Sequence, residues 1–273
     1  MTSLFVIYLF YCIFCFDILI CLLGFISIIS LRKELSNLSL LLNLQLVITS
    51  FIHCISYLTY FNNHQGLILF TSIFSLLGDF GKITISIIIM LIGRFAFTDS
   101  SEIDRIQKVY AFISIFIAWV LPLSVSIISF IIDVFWVNEL VLYIIVVSLR
   151  YVLIIVFFFL SGKLSREINR SFEKNEIPLE LYNTLKNKNV IYRIVVGYHC
   201  LGFIFHLVLD LMKIRHGSLA FEICGIVNTI TSSTYVLGFV LNKSKLHKMW
   251  MCFTCQKENR RTTSDGDIHV PLA

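Results

Sequence analysis

Predominantly apolar runs of about 20 residues or more, the length that crosses ~30 Å of hydrocarbon as helix, recur along this chain. They cover roughly 4–31, 38–60, 67–97, 109–132, 140–160, 191–212 and 219–241. The runs are continuous, as in "SIFIAWVLPLSVSIISFII", and lack the alternation that a transmembrane barrel strand needs. They predict an all-α fold in which residues 1–241 form a seven-helix transmembrane bundle. Past the last run, "LNKSKLHKMWMCFTC" sets Leu246, Met249, Trp250 and Phe253 at i, i+3, i+4 and i+7, with Lys243, Lys245 and Lys248 elsewhere around the helix. This predicts an amphipathic eighth helix over 242–255, lying on the inner membrane surface. Residues 256–273 are too polar to pack and are expected to form a disordered cytosolic tail.

Composition agrees with the pattern, since 58% of the residues are hydrophobic and the mean hydropathy is +0.87. The first run lacks a basic leader and a small-residue cleavage site, so it is expected to be the first membrane helix and not a signal peptide. Basic residues fix the expected orientation. One side of the membrane would carry Arg32, Lys33, Arg94, Arg105, Lys108, Lys163, Arg166, Arg170, Lys174, Lys186, Lys188, Arg193 and the six basic residues after Leu241. The other would carry only Lys213 and Arg215. The chain is therefore expected to be a multi-pass protein of the plasma membrane, with the N-terminus outside and the C-terminus in the cytosol. The sequons at Asn37, Asn169 and Asn242 then fall in or beside the cytosol, away from glycosylation. The formal net charge of +5 describes a face turned toward anionic lipid and calls for no nucleic-acid partner.

Of the eight cysteines, Cys12, Cys15, Cys21, Cys54, Cys200 and Cys224 lie in the apolar runs and Cys252 and Cys255 behind the amphipathic stretch. No exterior disulfide framework is expected. Cys252 and Cys255 would sit at membrane level as candidates for S-palmitoylation. A zinc site made by these two with His247 lacks a further ligand pair, so no metal or other cofactor is expected.

Charges inside the apolar runs are the candidate chemistry. At 1.5 Å of rise per residue, Asp79 lies ~18 Å below the start of the third run and Lys82 one turn deeper. Asp17 in the first run and Arg150 in the fifth come to similar depths, ~20 Å and ~15 Å. A charge there costs about 2.5–3.5 kcal/mol on the insertion scale, so each is expected to face the interior and find a partner. Such a network either fixes the register of the helices or forms the floor of a ligand pocket or switch. Asn228, Thr229, Thr231, Ser232, Ser233 and Thr234 of the seventh run are placed to line the same cavity. Asp210 and Glu222, near Lys213 and Arg215, make a second charged level at the outer mouth. His53, His199 and His206 read as hydrogen-bonded core histidines.

The predicted outside loops are short, as in "FNNHQG" and "KIRHGSL", which favours a small molecule entering the bundle over a folded protein ligand. On the cytosolic side, "GKLSREINRSFEKNE" carries Leu164, Ile168 and Phe172 on one face of a helix that continues the fifth run. Pro178 is expected to interrupt it, with Leu181 and Leu185 leading into the sixth run. In the tail, Arg260 and Arg261 precede Thr262, Thr263 and Ser264, candidate phosphorylation sites whose added charge would lift the tail from anionic lipid and switch off coupling.

Seven spans, the outside N-terminus, a basic third cytosolic loop and an amphipathic eighth helix ending in cysteines resemble the G-protein-coupled receptor superfamily over nearly the whole chain. "AWVLP", with Trp119 and Pro122, is similar to the Trp-x-x-Pro feature of cyclic-AMP-receptor-like and secretin-like receptors. Tyr235 in "STYVLGFVLNKSK" matches the tyrosine that precedes helix eight, and Arg94 in "GRFAF" matches by position the arginine ending span three. The resemblance implies a receptor for a small ligand, a chemoreceptor, that signals to a heterotrimeric G protein. Arg94, Arg166, Arg170, Lys186 and Lys188 are then the candidate coupling residues. The chain lacks Asp/Glu-Arg-Tyr and Asn-Pro-x-x-Tyr, and no lysine between Leu219 and Leu241 is available for a retinal Schiff base.

No catalytic signature accompanies the charges. The Gly-x-Gly-Asp motif of intramembrane aspartyl proteases would need glycine where Leu76 stands, and there is no His-Glu-x-x-His, Gly-x-Ser-x-Gly or P-loop. The alternative to a receptor is a small-solute or ion transporter using the intramembrane charges. Against it stand the absence of an internal repeat and of any span proline besides Pro122.

Overall fold

The computed structural model describes residues 4–30, 32, 37–61, 68–95, 139–212 and 219–241, with separate positions between 109 and 128. Its helices are α1 (Leu4–Ser30), α2 (Asn37–Phe61), α3 (Ile68–Phe95), α4 (Glu139–Glu173), α5 (Leu179–Leu211) and α6 (Leu219–Tyr235). Among the described residues these six are each long and apolar enough to cross a membrane, as in a multi-pass membrane protein. The fourth apolar run is described only in part, including a π-helical turn at Phe116–Val120 that packs on α3. Lys213, Arg215, the predicted eighth helix with Cys252 and Cys255, and the tail with Thr262, Thr263 and Ser264 lie outside the described residues.

Residues 83–89, "ITISIII", alternate and branch at Cβ like a soluble strand, yet they are helical in α3. In lipid every backbone group must be satisfied within its own segment, which helix does and an isolated strand cannot. The hydroxyls follow the same rule. Ser86 donates to the Lys82 carbonyl at 2.8 Å, Thr49 to Gln45 at 2.9 Å and Thr229 to Gly225 at 2.8 Å, each one turn back along its helix.

The helices close into a ring: each packs on the next, and α1 meets α6. The apolar window of α3 is 83% buried, against 28% for those of α4 and α5, so α3 lies innermost. Apolar side chains such as Phe16, Ile29, Ile155, Ile194 and Leu201 face outward, while Asp17, His53, Asp79, Lys82, His199 and Thr231 are buried. That inverts the soluble pattern and is the arrangement lipid demands.

Helix α4 is 35 residues long and α5 is 33, each ~50 Å at helical rise, so both outreach a ~30 Å hydrocarbon layer. Asn175 ends α4 in the left-handed conformation at φ 56°, with Glu176 N–H donating to the Ser171 carbonyl at 2.9 Å and Asn175 N–H to Phe172 at 3.0 Å. The interruption expected at Pro178 is present, since α4 ends at Glu173 and α5 starts at Leu179. Pro178 itself caps the start of α5, its carbonyl accepting from Tyr182 N–H at 3.0 Å. The two ends are held by Phe172 stacked on Tyr182, ring centroids 4.2 Å apart. Nearer the bundle, Asn189 and Arg193 of α5 clamp Ser161 and Ser165 of α4: Arg193 Nε donates to Ser161 Oγ at 2.6 Å and Asn189 Nδ2 to Ser165 Oγ at 2.8 Å.

Candidate functional site

Five helices send polar side chains to one buried centre. Asp79 of α3 is its hub: Oδ1 lies 2.8 Å from His53 Nε2 of α2 and 3.3 Å from His199 Nε2 of α5, and Oδ2 meets an Arg150 guanidinium nitrogen of α4 at 3.2 Å. Lys82 stands 3.8 Å from Oδ1. The i,i+3 pair within α3 is thus the longest of these four contacts.

Hydrogen-bond roles follow from the acceptor at the hub. With Nε2–H of each ring turned to Asp79, both Nδ1 atoms are left as acceptors. His53 Nδ1 lies 2.7 Å from Lys82 Nζ and 2.8 Å from Ser232 Oγ. His199 Nδ1 accepts from the Tyr235 hydroxyl at 2.9 Å. Lys82 also donates to Thr231 Oγ1 at 3.3 Å, so hydrogen bonds to His53 and Thr231 and the charge of Asp79 hold its ammonium. Arg150 lies over the Phe203 ring at 4.8 Å and the Phe80 ring at 5.8 Å. With neutral imidazoles, the Asp79 carboxylate faces the two cations Lys82 and Arg150.

Asp17 shares the depth but not the contacts. It is fully buried on α1, and neither carboxylate oxygen has a hydrogen-bond partner. The neighbouring Ser233 hydroxyl donates instead to the Ile230 carbonyl at 2.9 Å. Asp79, Lys82 and Arg150 are therefore brought together, while Asp17 stands apart from them.

A pocket of about 170 Å³ opens on the hub from the side of the α3 N-terminus. Asp79 and Arg150 form its floor, and Ser75, Val147, Tyr151, Phe203, His206, Leu207 and Asn228 complete the lining. On the opposite side of the hub the bundle is filled: Tyr235 stacks on Phe239 and Phe239 on Tyr192, centroids 5.7 and 4.1 Å apart, among Leu46, Met90 and Val195. A π-type bond from Leu241 N–H to the Val236 carbonyl at 2.8 Å ends this layer.

The centre depends on a close approach of α2 and α3. A Cβ built on Gly78 would stand 2.5 Å from His53 Cβ and 3.0 Å from its Cα. Gly78→Ala is expected to force the helices apart at the His53–Asp79 bond, costing about 1–3 kcal/mol as overpacking does. The check is the thermal midpoint of the purified protein in detergent, which should fall.

The other candidates are more dispersed. Asp210 and Glu222 fall on α5 and α6 and Arg94 on α3, but their side chains lie outside the described residues. Arg166, Arg170 and Lys186 are exposed on the α4–α5 hairpin and Lys188 is half-buried there. Trp119 donates to Gln45 of α2 at 3.2 Å, tying the π-helical turn to the bundle. Among the described residues no group of three His, Cys, Asp or Glu is arranged to hold a metal ion.

The sequence reading omitted His53, His199 and Tyr151 from the site. The depth arithmetic used for the charges would have found the histidines, since His53 lies ~12 Å from the end of α2 and His199 ~18 Å from that of α5. No protein-family model matches the chain, and no curated protein matches it in sequence. Its function has to be argued from the site itself.

Proposed function

We propose that this protein is a seven-span receptor of the G-protein-coupled type, in which a small molecule enters the bundle and shifts the Asp79 centre. The observation that carries the reading is the pocket floored by Asp79 and Arg150, blind beneath because Tyr235, Phe239 and Tyr192 fill the core. With the N-terminus outside, the pocket faces the exterior and the α4–α5 hairpin the cytosol. A molecule contacting Arg150 or Asp79 acts on groups bonded to α2, α3, α4 and α5 at once. Movement of α4 against α5 would be transmitted to the hairpin, where Arg166, Arg170, Lys186 and Lys188, with Arg94, would meet a heterotrimeric G protein beside anionic lipid. A transporter using the same charges is the alternative, and the stacking of Tyr235, Phe239 and Tyr192 beneath the hub favours the receptor over it.

The test uses the full-length protein reconstituted with a heterotrimeric G protein in phosphatidylcholine–phosphatidylserine vesicles. Nucleotide exchange above that of protein-free vesicles is expected, and Arg166→Ala with Arg170→Ala should reduce it severalfold. Solute flux into the vesicles without nucleotide exchange would replace the receptor by the transporter.

A further inference from the structure

We propose that the outer face of α4, where lipid-facing side chains give way to Lys163, Arg166 and Arg170, is a docking site for an inositol lipid that bears further phosphates on its ring. The surface is separate from the pocket. The proposal goes beyond the receptor reading and takes from it only the cytosolic placement of the α4–α5 hairpin.

Helical periodicity sets the face. Because α4 is one continuous helix from Glu139 to Glu173, successive residues turn by about 100°. On that count Val152, Val156 and Phe159 share a sector of about 80° with Lys163, Arg166, Arg170 and the next cation, Lys174. The three apolar residues are 53%, 37% and 56% exposed, and Arg166, Arg170 and Lys174 are exposed with them. The opposite side of the helix is taken: Phe157, Leu164 and Ile168 are buried in the core, and Phe172 stacks on Tyr182 of α5. One face of α4 therefore runs from the level of lipid tails into a row of cations without a break.

A contact marks where the change occurs. Lys163 Nζ lies 4.5 Å over the Phe159 ring, as expected of a lysine that reaches from hydrocarbon to headgroup level. Lipid phosphates thus stand beside Lys163. Arg166 lies ~4.5 Å and Arg170 ~10.5 Å further along the axis. A lipid with a single phosphodiester meets Lys163 and Arg166 and leaves Arg170 unused. Phosphates carried further out on an inositol ring continue the row, and guanidinium forks match their oxygens. Cations clustered directly beyond a membrane helix on the cytosolic side attract such lipids.

Neighbouring acids bound the site. Glu167 and Glu173 stand about 60° to either side of the row, and Lys174 pairs with Glu176 at 3.7 Å, so Lys163, Arg166 and Arg170 are its core. Among the described residues neither arginine is in an ion pair with an acid. A protein partner or a soluble phosphate would engage the cations alone. An anionic lipid engages both the cations and the apolar side chains that the chain leaves exposed beneath them.

The experiment counts the lipid retained by the full-length protein in detergent micelles, by native mass spectrometry, over titrations with phosphatidylinositol bisphosphate, phosphatidylinositol and phosphatidylserine. The bisphosphate lipid is expected to be retained saturably, with the other two at least about tenfold weaker. Arg166→Ala with Arg170→Ala should weaken its retention about tenfold. Lys186→Ala removes a cation of the same hairpin that lies over the Tyr182 ring of α5 at 5.2 Å, off this face, and should change retention less than about twofold. Inositol trisphosphate, the headgroup without tails, should compete at least about tenfold more weakly than the lipid. Equal retention of the three lipids, unchanged retention in the double arginine variant, or an equal loss in Lys186→Ala would each overturn the proposal. Inositol trisphosphate competing as well as the lipid would overturn it too, by making the ligand a soluble phosphate. No G protein is present here, and the vesicles of the exchange assay hold no inositol lipid, so this site can fail while nucleotide exchange holds, and the reverse.

Discussion

Asp79→Asn is expected to destabilise the protein by about 3–5 kcal/mol, the cost of removing one partner from a buried ion pair. The substitution is nearly isosteric, so the effect comes from charge. Arg150 and Lys82 would lose the carboxylate they share, and His53 and His199 the acceptor that orients both rings. The full-length protein should elute as aggregate in detergent, where the native chain elutes as a single folded species. Adding Arg150→Met restores the charge balance and fills the space over Phe203 with an apolar chain, so the double variant should recover much of the folded peak. Asp79→Asn melting at the native midpoint would remove the hub from the account.

Lys82→Met is expected to be comparably severe, and its rescue distinguishes a second electrostatic unit. Lys82 is fully buried, and without its charge the two acids face Arg150 alone. Asp17, with no hydrogen-bond partner on either oxygen, is the acid left uncompensated. Asp17→Asn in the Lys82→Met background should therefore raise the thermal midpoint, with a coupling of about 0.5–3 kcal/mol, whereas in the native background it should lower it. Equal and additive effects in both backgrounds would mean that Asp17 and Lys82 do not act on each other.

These effects share one origin, which also explains what could be read in advance. The apolar runs expected at 4–31, 38–60 and 67–97 end within two residues of Leu4–Ser30, Asn37–Phe61 and Ile68–Phe95, because hydrocarbon thickness and backbone satisfaction leave little choice of length. The runs at 140–160 and 191–212 fall short of α4 and α5, which continue where the chain turns amphipathic and hydropathy no longer reports the helix. Pro178 reads as a break from either side, and only the Asn175 cap shows that it opens α5. In the site, Asp79, Lys82 and Arg150 were legible because a charge at midmembrane depth demands a partner. His53 and His199 lie at the same depth, but a single polar ring on an apolar helix carries no charge that demands a partner, so depth alone marked them as buried and only the fold shows that both turn to Asp79. The Ser161–Asn189–Arg193 clamp was hidden for a related reason: Arg193 reads as a residue of the positive flank, and its partners lie 28 to 32 positions away. Tyr151 and Asn228 carry no charge to mark them, and their meaning comes from the pocket they line.

Every functional proposal for the pocket requires Asp79 and Arg150 to meet at its floor. The most direct measurement is a solid-state NMR dipolar dephasing experiment on the full-length protein in lipid, with the aspartate carboxyl carbons labelled with ¹³C and the arginine guanidinium nitrogens with ¹⁵N. A buried aspartate carboxyl should dephase as a hydrogen-bonded ion pair does, and the dephased signal should vanish in Arg150→Met while the remaining aspartate signals stay unchanged. A dephasing curve identical in the native protein and Arg150→Met would contradict the account.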